Sequence, residues 1–165
     1  MSNLKIAKVI NDSIVDGPGL RMVVFTQGCS ILCDGCHNVG LQSFHGGTEL
    51  NINTLLVKYR KNELLRGITI TGGEPFDQVN ELHYLVLQLV KNKIHTILFT
   101  GYTYETLLSI KNKKINEILM LADILIDGPF LKNKKNLNLK FMGSDNQRII
   151  DLKKSSLEKI ILTNL

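Results

Sequence analysis

The chain has 165 residues, a formal net charge of +5, three cysteines and no tryptophan. That length fits one domain, residues 1–165, and lets folding bury roughly 70% of the unfolded surface, so a core forms without disulfide staples. The odd cysteine count and an N-terminal stretch lacking an apolar h-region and a cleavage site point to a cytoplasmic protein with no export signal. The longest apolar runs, such as ILMLADILI at 118–126, reach about half of the ~20 residues a membrane span needs and carry Asp123, which excludes a transmembrane helix.

In chain order, short apolar or β-branched runs read as strands at 5–10 (KIAKVI), 21–26 (RMVVFT), 67–71 (GITIT), 94–100 (IHTILFT) and 123–127 (DILID). Helical spacing lies between them at 53–61, 79–91 and 104–121, the last broken near Asn112. The alternation predicts an α/β fold of right-handed βαβ units with a mainly parallel sheet, either open or an incomplete barrel. There are too few units for a closed eight-stranded barrel of typically ~250 residues. In such folds functional groups gather at the C-terminal ends of the strands. The cysteine loop, GGEP at 72–75, GY at 101–102 and GPF at 128–130 all fall there.

The positive charge sits in lysine runs at 91–93, 111–114 and 132–140 with few aromatics nearby. These read as solvated loops rather than a nucleic-acid surface, and the last run also suits partner docking.

All three cysteines fall within GCSILCDGCHN at 28–38, as Cys29, Cys33 and Cys36. Three thiolates on one loop suit a metal centre, and two kinds compete. A structural zinc wants a fourth ligand, and neither His37, directly after Cys36, nor His45, without a companion, supplies one at finger spacing. An iron–sulfur cluster normally takes four cysteines. With three, one iron of a cubane keeps an open position, where a substrate or cofactor binds in a catalyst.

The run DGPGLRMVVFTQGCSILCDGCHN at 16–38, with its C-x3-C-x2-C spacing, resembles the signature of the glycyl-radical-activating enzymes of the radical S-adenosylmethionine (SAM) superfamily. TGGEP, TGY, ADILIDGPF and MGSDNQRIIDL are similar, in the same order, to landmarks of the anaerobic ribonucleoside-triphosphate reductase activators, so the resemblance covers about residues 8–152. It implies a small incomplete (βα) barrel of radical SAM type and a [4Fe-4S] cluster on Cys29, Cys33 and Cys36. It implies also that the amino and carboxylate groups of SAM chelate the open iron, and that reductive cleavage of SAM generates a glycyl radical on the reductase. Gly35, Cys36 and His37 are then expected on the SAM side of the cluster loop. Gly72 and Gly73 let backbone approach the ligand, and Glu74 accepts a hydrogen bond from its amino group. The hard chemistry belongs to the cofactor, so no separate acid–base residue is named.

The expected partners are the reductase and a low-potential electron donor such as flavodoxin or ferredoxin, with no nucleic acid and no membrane. So short a chain has little left to build a lid, and the reductase is expected to dock over the cluster loop, GGEP and the 127–135 segment. Other readings remain: an activator of a different glycyl-radical enzyme, since the CHN segment is more similar to the pyruvate formate-lyase activators, or a non-catalytic zinc or iron–sulfur protein. DGPG at 16–19 reads as a structural turn, and Arg21 as a carboxylate partner or strand-surface charge. The GSDNQR segment at 143–148 closes over SAM, faces the partner, or forms a capped turn before RIIDL.

Overall fold

The computed structural model describes residues 3–165. Among them, strands run over Asn3–Ser13 (β1), Arg21–Thr26 (β2), Thr48–Asn51 (β3), Gly67–Gly72 (β4), Thr96–Phe99 (β5), Ile124–Asp127 (β6) and Arg148–Asp151 (β7). Helices cover Ile52–Tyr59 (α1), Val79–Lys91 (α2), Tyr104–Ser109 (α3) and Lys113–Leu121 (α4). The seven strands form one sheet in the order β3-β1-β2-β4-β5-β6-β7. Its centre, β2-β4-β5-β6, is parallel, while β1, β3 and β7 pair antiparallel at the flanks. The α/β class and parallel centre match the expectation, and the sheet stays open because β3 and β7 end it on opposite sides.

The five expected strands all form, with β1 longer than predicted and β5 shorter. Two short flanking strands, β3 and β7, were not foreseen: TELN has no apolar alternation, and RIID offers only two adjacent apolar residues. The helical stretch over 104–121 is broken near Asn112 as expected, giving α3 and α4. Lys111 turns left-handed at φ 54°, and the Asn112 side chain accepts from the Lys114 amide at 2.9 Å, starting α4. None of the helices is long and apolar enough to cross a membrane.

Side-chain alternation sorts the sheet into two faces. Met22, Val24, Ile68, Ile70, Leu98, Leu125 and Ile150 belong to the main core. The stripe Leu82, Leu85, Val86 and Leu89 of α2 covers that face together with Ile115, Ile118 and Leu119 of α4. The opposite face carries Ile97, Ile124, Ile126 and Ile149, packed by Phe99, Phe141 and Met142 from strand ends and loops. Helices thus lie outside and a loop-covered concavity inside, the arrangement expected of an incomplete (βα) barrel.

Arg21 plugs the N-terminal end of that inner face. It is 1% exposed, and its guanidinium donates to the Thr69 hydroxyl at 2.7 Å and to the carbonyls of Ile68 and His95 at 2.8 and 3.1 Å. It is not strand-surface charge, and although the Asp123 carboxylate favours its charge, its hydrogen bonds go to a hydroxyl and to carbonyls. Burial lowers its pKa to about 10. The DGPG turn folds over it, since Thr69 donates onward to the Asp16 carbonyl at 2.8 Å and a Cβ at Gly17 (φ 137°) would sit 2.7 Å from the arginine stem. Replacing Arg21 by Ala removes three buried hydrogen bonds and leaves a void, so it should destabilise the protein by about 3 kcal/mol, read from the denaturant midpoint, without changing iron content per folded molecule.

Candidate functional site

At the C-terminal ends of the parallel strands lies a cavity of ≈ 230 Å³. Its wall is built from Cys29, Cys33, Cys36 and His37 after β2, Thr71 to Glu74 after β4, Phe99 to Gly101 after β5, and Gly128 and Phe130 after β6. Phe141, Gly143 and Gln147 complete it from the last loop. Of the residues singled out in the sequence, Cys29, Cys33, Cys36, His37, Gly72, Gly73 and Glu74 therefore meet around one space. Gly35 does not line it. It turns left-handed at φ 72°, and its Cβ position faces Lys132 and Phe130 on the outside of the loop.

The cysteine loop springs from a continuation of the β2–β4 ladder. Gly73 donates to the Thr26 carbonyl at 2.9 Å and Glu74 to the Gly28 carbonyl at 2.8 Å. The approach is so close that a Cβ on Gly73 would lie 2.0 Å from the Gly28 oxygen, and one on Gly72 2.6 Å from the Thr26 nitrogen. The two glycines are thus demanded first by the neighbouring chain, not only by a ligand. The loop is closed at its far side by Cys29 N–H donating to the Gln42 carbonyl at 3.0 Å.

Glu74 lines the cavity but is already held by the protein's own donors. It is 1% exposed, and it accepts from the Phe76 amide (2.9 Å), the Thr100 hydroxyl (2.9 Å) and the Gly101 amide (2.8 Å). It thereby joins the loops that follow β4 and β5. Desolvation, opposed by those donors, raises its pKa from 4.5 to about 7.

Three residues given no role in the sequence reading, Ser30, Asp77 and Tyr102, hold the cluster loop in place. Asp77 accepts from the Ser30 amide at 2.7 Å and its hydroxyl at 2.8 Å, and the Ser30 hydroxyl shares a 3.0 Å hydrogen bond with the Tyr102 hydroxyl. The sequence signal was slight: Asp77 lies just beyond GGEP, and Tyr102 in the TGY segment. On the other wall His37 meets Phe130 edge-on, with ring centroids 5.0 Å apart.

GSDNQR is a turn pinned against the loop after β6. The Gln147 side chain accepts from the Gly143 amide at 2.7 Å and donates to the Gly128 carbonyl at 3.0 Å, while Asn146 donates to the Pro129 carbonyl at 2.7 Å. Arg148 clamps the base of this turn. It donates to the fully buried Asp127 and in two bonds of 3.0 and 2.8 Å to Glu105, whose carboxyl it holds below the ordinary value. The capped-turn reading of this segment is thus realised, and Gly143 and Gln147 lie on the cavity wall.

The donor set fits an iron–sulfur cluster. All three thiols are half-buried and unpaired in disulfides, and they line the wall of one cavity. Burial pushes the Cys29 and Cys33 thiols up, opposed by backbone amides of Leu32 and Ile31 at Cys29 and of Phe130 at Cys33. Backbone donors aimed at sulfur are what a bound thiolate needs. Cys36 receives the Asn38 amide at 3.3 Å. Among the described residues, no three His, Cys, Asp or Glu side chains stand close enough together to share one mononuclear ion.

Comparison with known proteins agrees with this donor chemistry. The family model described as a 4Fe-4S single cluster domain matches residues 15–150. The chain is 34% identical over 141 residues to the anaerobic ribonucleoside-triphosphate reductase-activating protein of Enterobacteria phage T4, covering 82% of this chain and 86% of that protein. It is 31% identical to the protein of that name from Vibrio cholerae, covering 82% and 90%. The pyruvate formate-lyase-activating enzyme of Staphylococcus epidermidis is also 31% identical, but the chain spans only 56% of its length. Among solved structures, QueE from Escherichia coli aligns with a TM-score of 0.44 at 19% identity, over 61% of this chain and 54% of that one. The chain belongs to the 4Fe-4S single cluster domain family and to the family of anaerobic ribonucleoside-triphosphate reductase-activating proteins.

Two outcomes follow from the geometry. A carboxyl whose pKa is raised on folding adds stability below its ordinary pKa of 4.5 and loses it as pH climbs to about 7. Between about pH 5 and about pH 8 the cluster-free protein should therefore lose up to about 3 kcal/mol relative to Glu74→Gln, measured by denaturant unfolding. A side chain at Gly73 would meet the Gly28 oxygen at 2.0 Å, so Gly73→Val should displace the loop carrying Cys29, and iron per protein after reconstitution should fall with it.

Proposed function

We propose that this protein activates an anaerobic ribonucleoside-triphosphate reductase by generating a glycyl radical on it, as a single domain holding a [4Fe-4S] cluster on Cys29, Cys33 and Cys36. The observation that carries this reading is the meeting of all three thiols with the GGEP turn in one cavity at the ends of the parallel strands. When bound, the cluster and SAM supply the one-electron reductive cleavage from which hydrogen-atom abstraction follows.

The chain's own groups do the rest. The three thiolates would hold the iron of the cluster. The backbone of Gly72 and Gly73 would receive SAM's amino group, and His37 with Phe130 forms a side wall of the cavity. Glu74 acts through the backbone: by holding the Gly101 amide and the turn at Phe76, it fixes the spacing between the β4 and β5 loops. None of these groups needs to move a proton. The reductase supplies the missing wall, bringing a loop glycine over the cavity and excluding water. The electron comes from a low-potential carrier such as flavodoxin or ferredoxin.

A lyase activator is the second reading, favoured by the Cys36–His37–Asn38 segment and by the 31% identity to the staphylococcal enzyme. Shared length favours the reductase, since the chain covers 86% of the phage protein and 56% of the lyase activator. The reading is tested by mixing reduced protein, SAM and reductase under anaerobiosis and recording the electron paramagnetic resonance spectrum. An organic-radical doublet that vanishes when the reductase loop glycine is changed to alanine is expected. A doublet on a formate-lyase alone selects the second reading, and SAM consumption driven by a free nucleotide refutes both. Changing any one of Cys29, Cys33 or Cys36 to Ala should lower iron content and abolish SAM cleavage.

A further inference from the structure

A second opening adjoins the cavity. It is a groove of ≈ 610 Å³ lined by Ile31, Cys33, Asp34, Phe130, Leu131 and Lys132 among others. Ile31, Cys33 and Phe130 line both spaces and so form a common wall between them. Cys33 is therefore the proposed cluster ligand that can be approached from outside without entering the space assigned to SAM and the reductase glycine.

The rim of this groove has a distinct chemistry. Lys132 lines the groove, Lys134, Lys135 and Lys140 follow it in the same loop, all four are exposed, and the 131–140 segment contains no acidic residue. Asp34 lines the groove beside Lys132, and Asp145 lies against the lysine loop, where its carboxylate accepts from the Asn136 side chain at 2.8 Å. Leu32, Leu131 and Leu137 stand exposed among these charges, Leu137 at 83%. The lysine loop is also held in shape. Asp145 N–H donates to the Lys134 carbonyl at 2.9 Å, Asn136 N–H to the Gly143 carbonyl at 3.1 Å, and Leu131 N–H to the Ser144 hydroxyl at 3.2 Å. A preformed basic rim around a few apolar side chains suits a transient, electrostatically steered encounter with an acidic protein, and redox encounters are characteristically of this small kind.

We infer that this groove is the docking site of an acidic one-electron carrier protein, which delivers its electron past Cys33. The inference rests on the proposed function, which requires one electron per activation. The carrier goes from its reduced to its oxidised form by loss of one electron, the cluster gains that electron, and no proton or bond is exchanged. The lysine run thereby passes from the reductase, its expected partner, to the electron donor, and the reductase keeps the cavity mouth.

The test uses the reconstituted holoprotein and an acidic flavodoxin as probe. The dissociation constant is read from flavin fluorescence, and the rate of cluster bleaching by the flavodoxin hydroquinone from stopped flow. The double variant Lys134→Glu, Lys135→Glu should weaken binding and slow bleaching by about tenfold or more, and added salt should weaken the wild-type encounter steeply. Bleaching by dithionite, a small reductant needing no docking site, should be unchanged. Equal flavodoxin affinity and rate in the two proteins overturns the inference. So does a variant that keeps flavodoxin but loses reductase binding. Dithionite also separates the two readings: if it yields no glycyl doublet with wild-type protein, SAM and reductase, the proposed function fails. A normal doublet with charge-insensitive flavodoxin binding rejects the docking site alone.

Discussion

The carbonyl of Gly28 is the point on which the functional end of this molecule depends. It accepts the Glu74 amide at 2.8 Å, one step past the last paired residues of β2 and β4, with Gly73 pressed against it. Parallel strands bring their C-terminal ends to one side, but side chains normally hold the following loops apart. With two glycines at this junction, backbone touches backbone. The loop that carries every cysteine then starts at a fixed height and direction relative to GGEP.

Around that joint the polar groups act as a chain of ties between strand ends. Glu74 links the β4 and β5 loops, Asp77 links the turn after GGEP to the residue following Cys29, and Tyr102 reaches the same serine from the β5 loop. Beyond β5, Gln147 and Asn146 hold the 128–130 loop, and Arg148 locks Asp127 beneath it. Each bond alone contributes about 1 kcal/mol, more where a charge is involved. Their joint effect is to keep five loops in one arrangement, as a site that must position a cofactor against a protein substrate requires. Arg21 performs the matching task at the other end, where it fills the inner face with hydrogen bonds to carbonyls in place of apolar packing.

Charge is divided in the same way. The inner site is built mainly from glycines, thiols, aromatics and one buried carboxyl, whereas no lysine lines it. Long-range attraction therefore acts outside the cavity. Short-range geometry acts within it, where low dielectric strengthens every aligned dipole.

The parts legible in the sequence are those set by neighbours in the chain. The spacing of Cys29, Cys33 and Cys36, the GGEP turn, the central strands and the stripe of α2 each fall within a short window, so periodicity and turn chemistry sufficed to find them and to place their loops on one face. What only the tertiary structure decided are the contacts between distant segments. Glu74 meets Thr100 and Gly101, Asp77 meets Ser30, Arg21 meets Thr69 and the His95 carbonyl, and Gly35 turns away from the cavity toward Lys132. The short flanking strands β3 and β7 belong here as well, since so few residues acquire their structure from the partner strand. A carboxylate or guanidinium in a string of letters carries no sign of whether water or protein will surround it, because burial is a property of the packed sheet and not of the local chain.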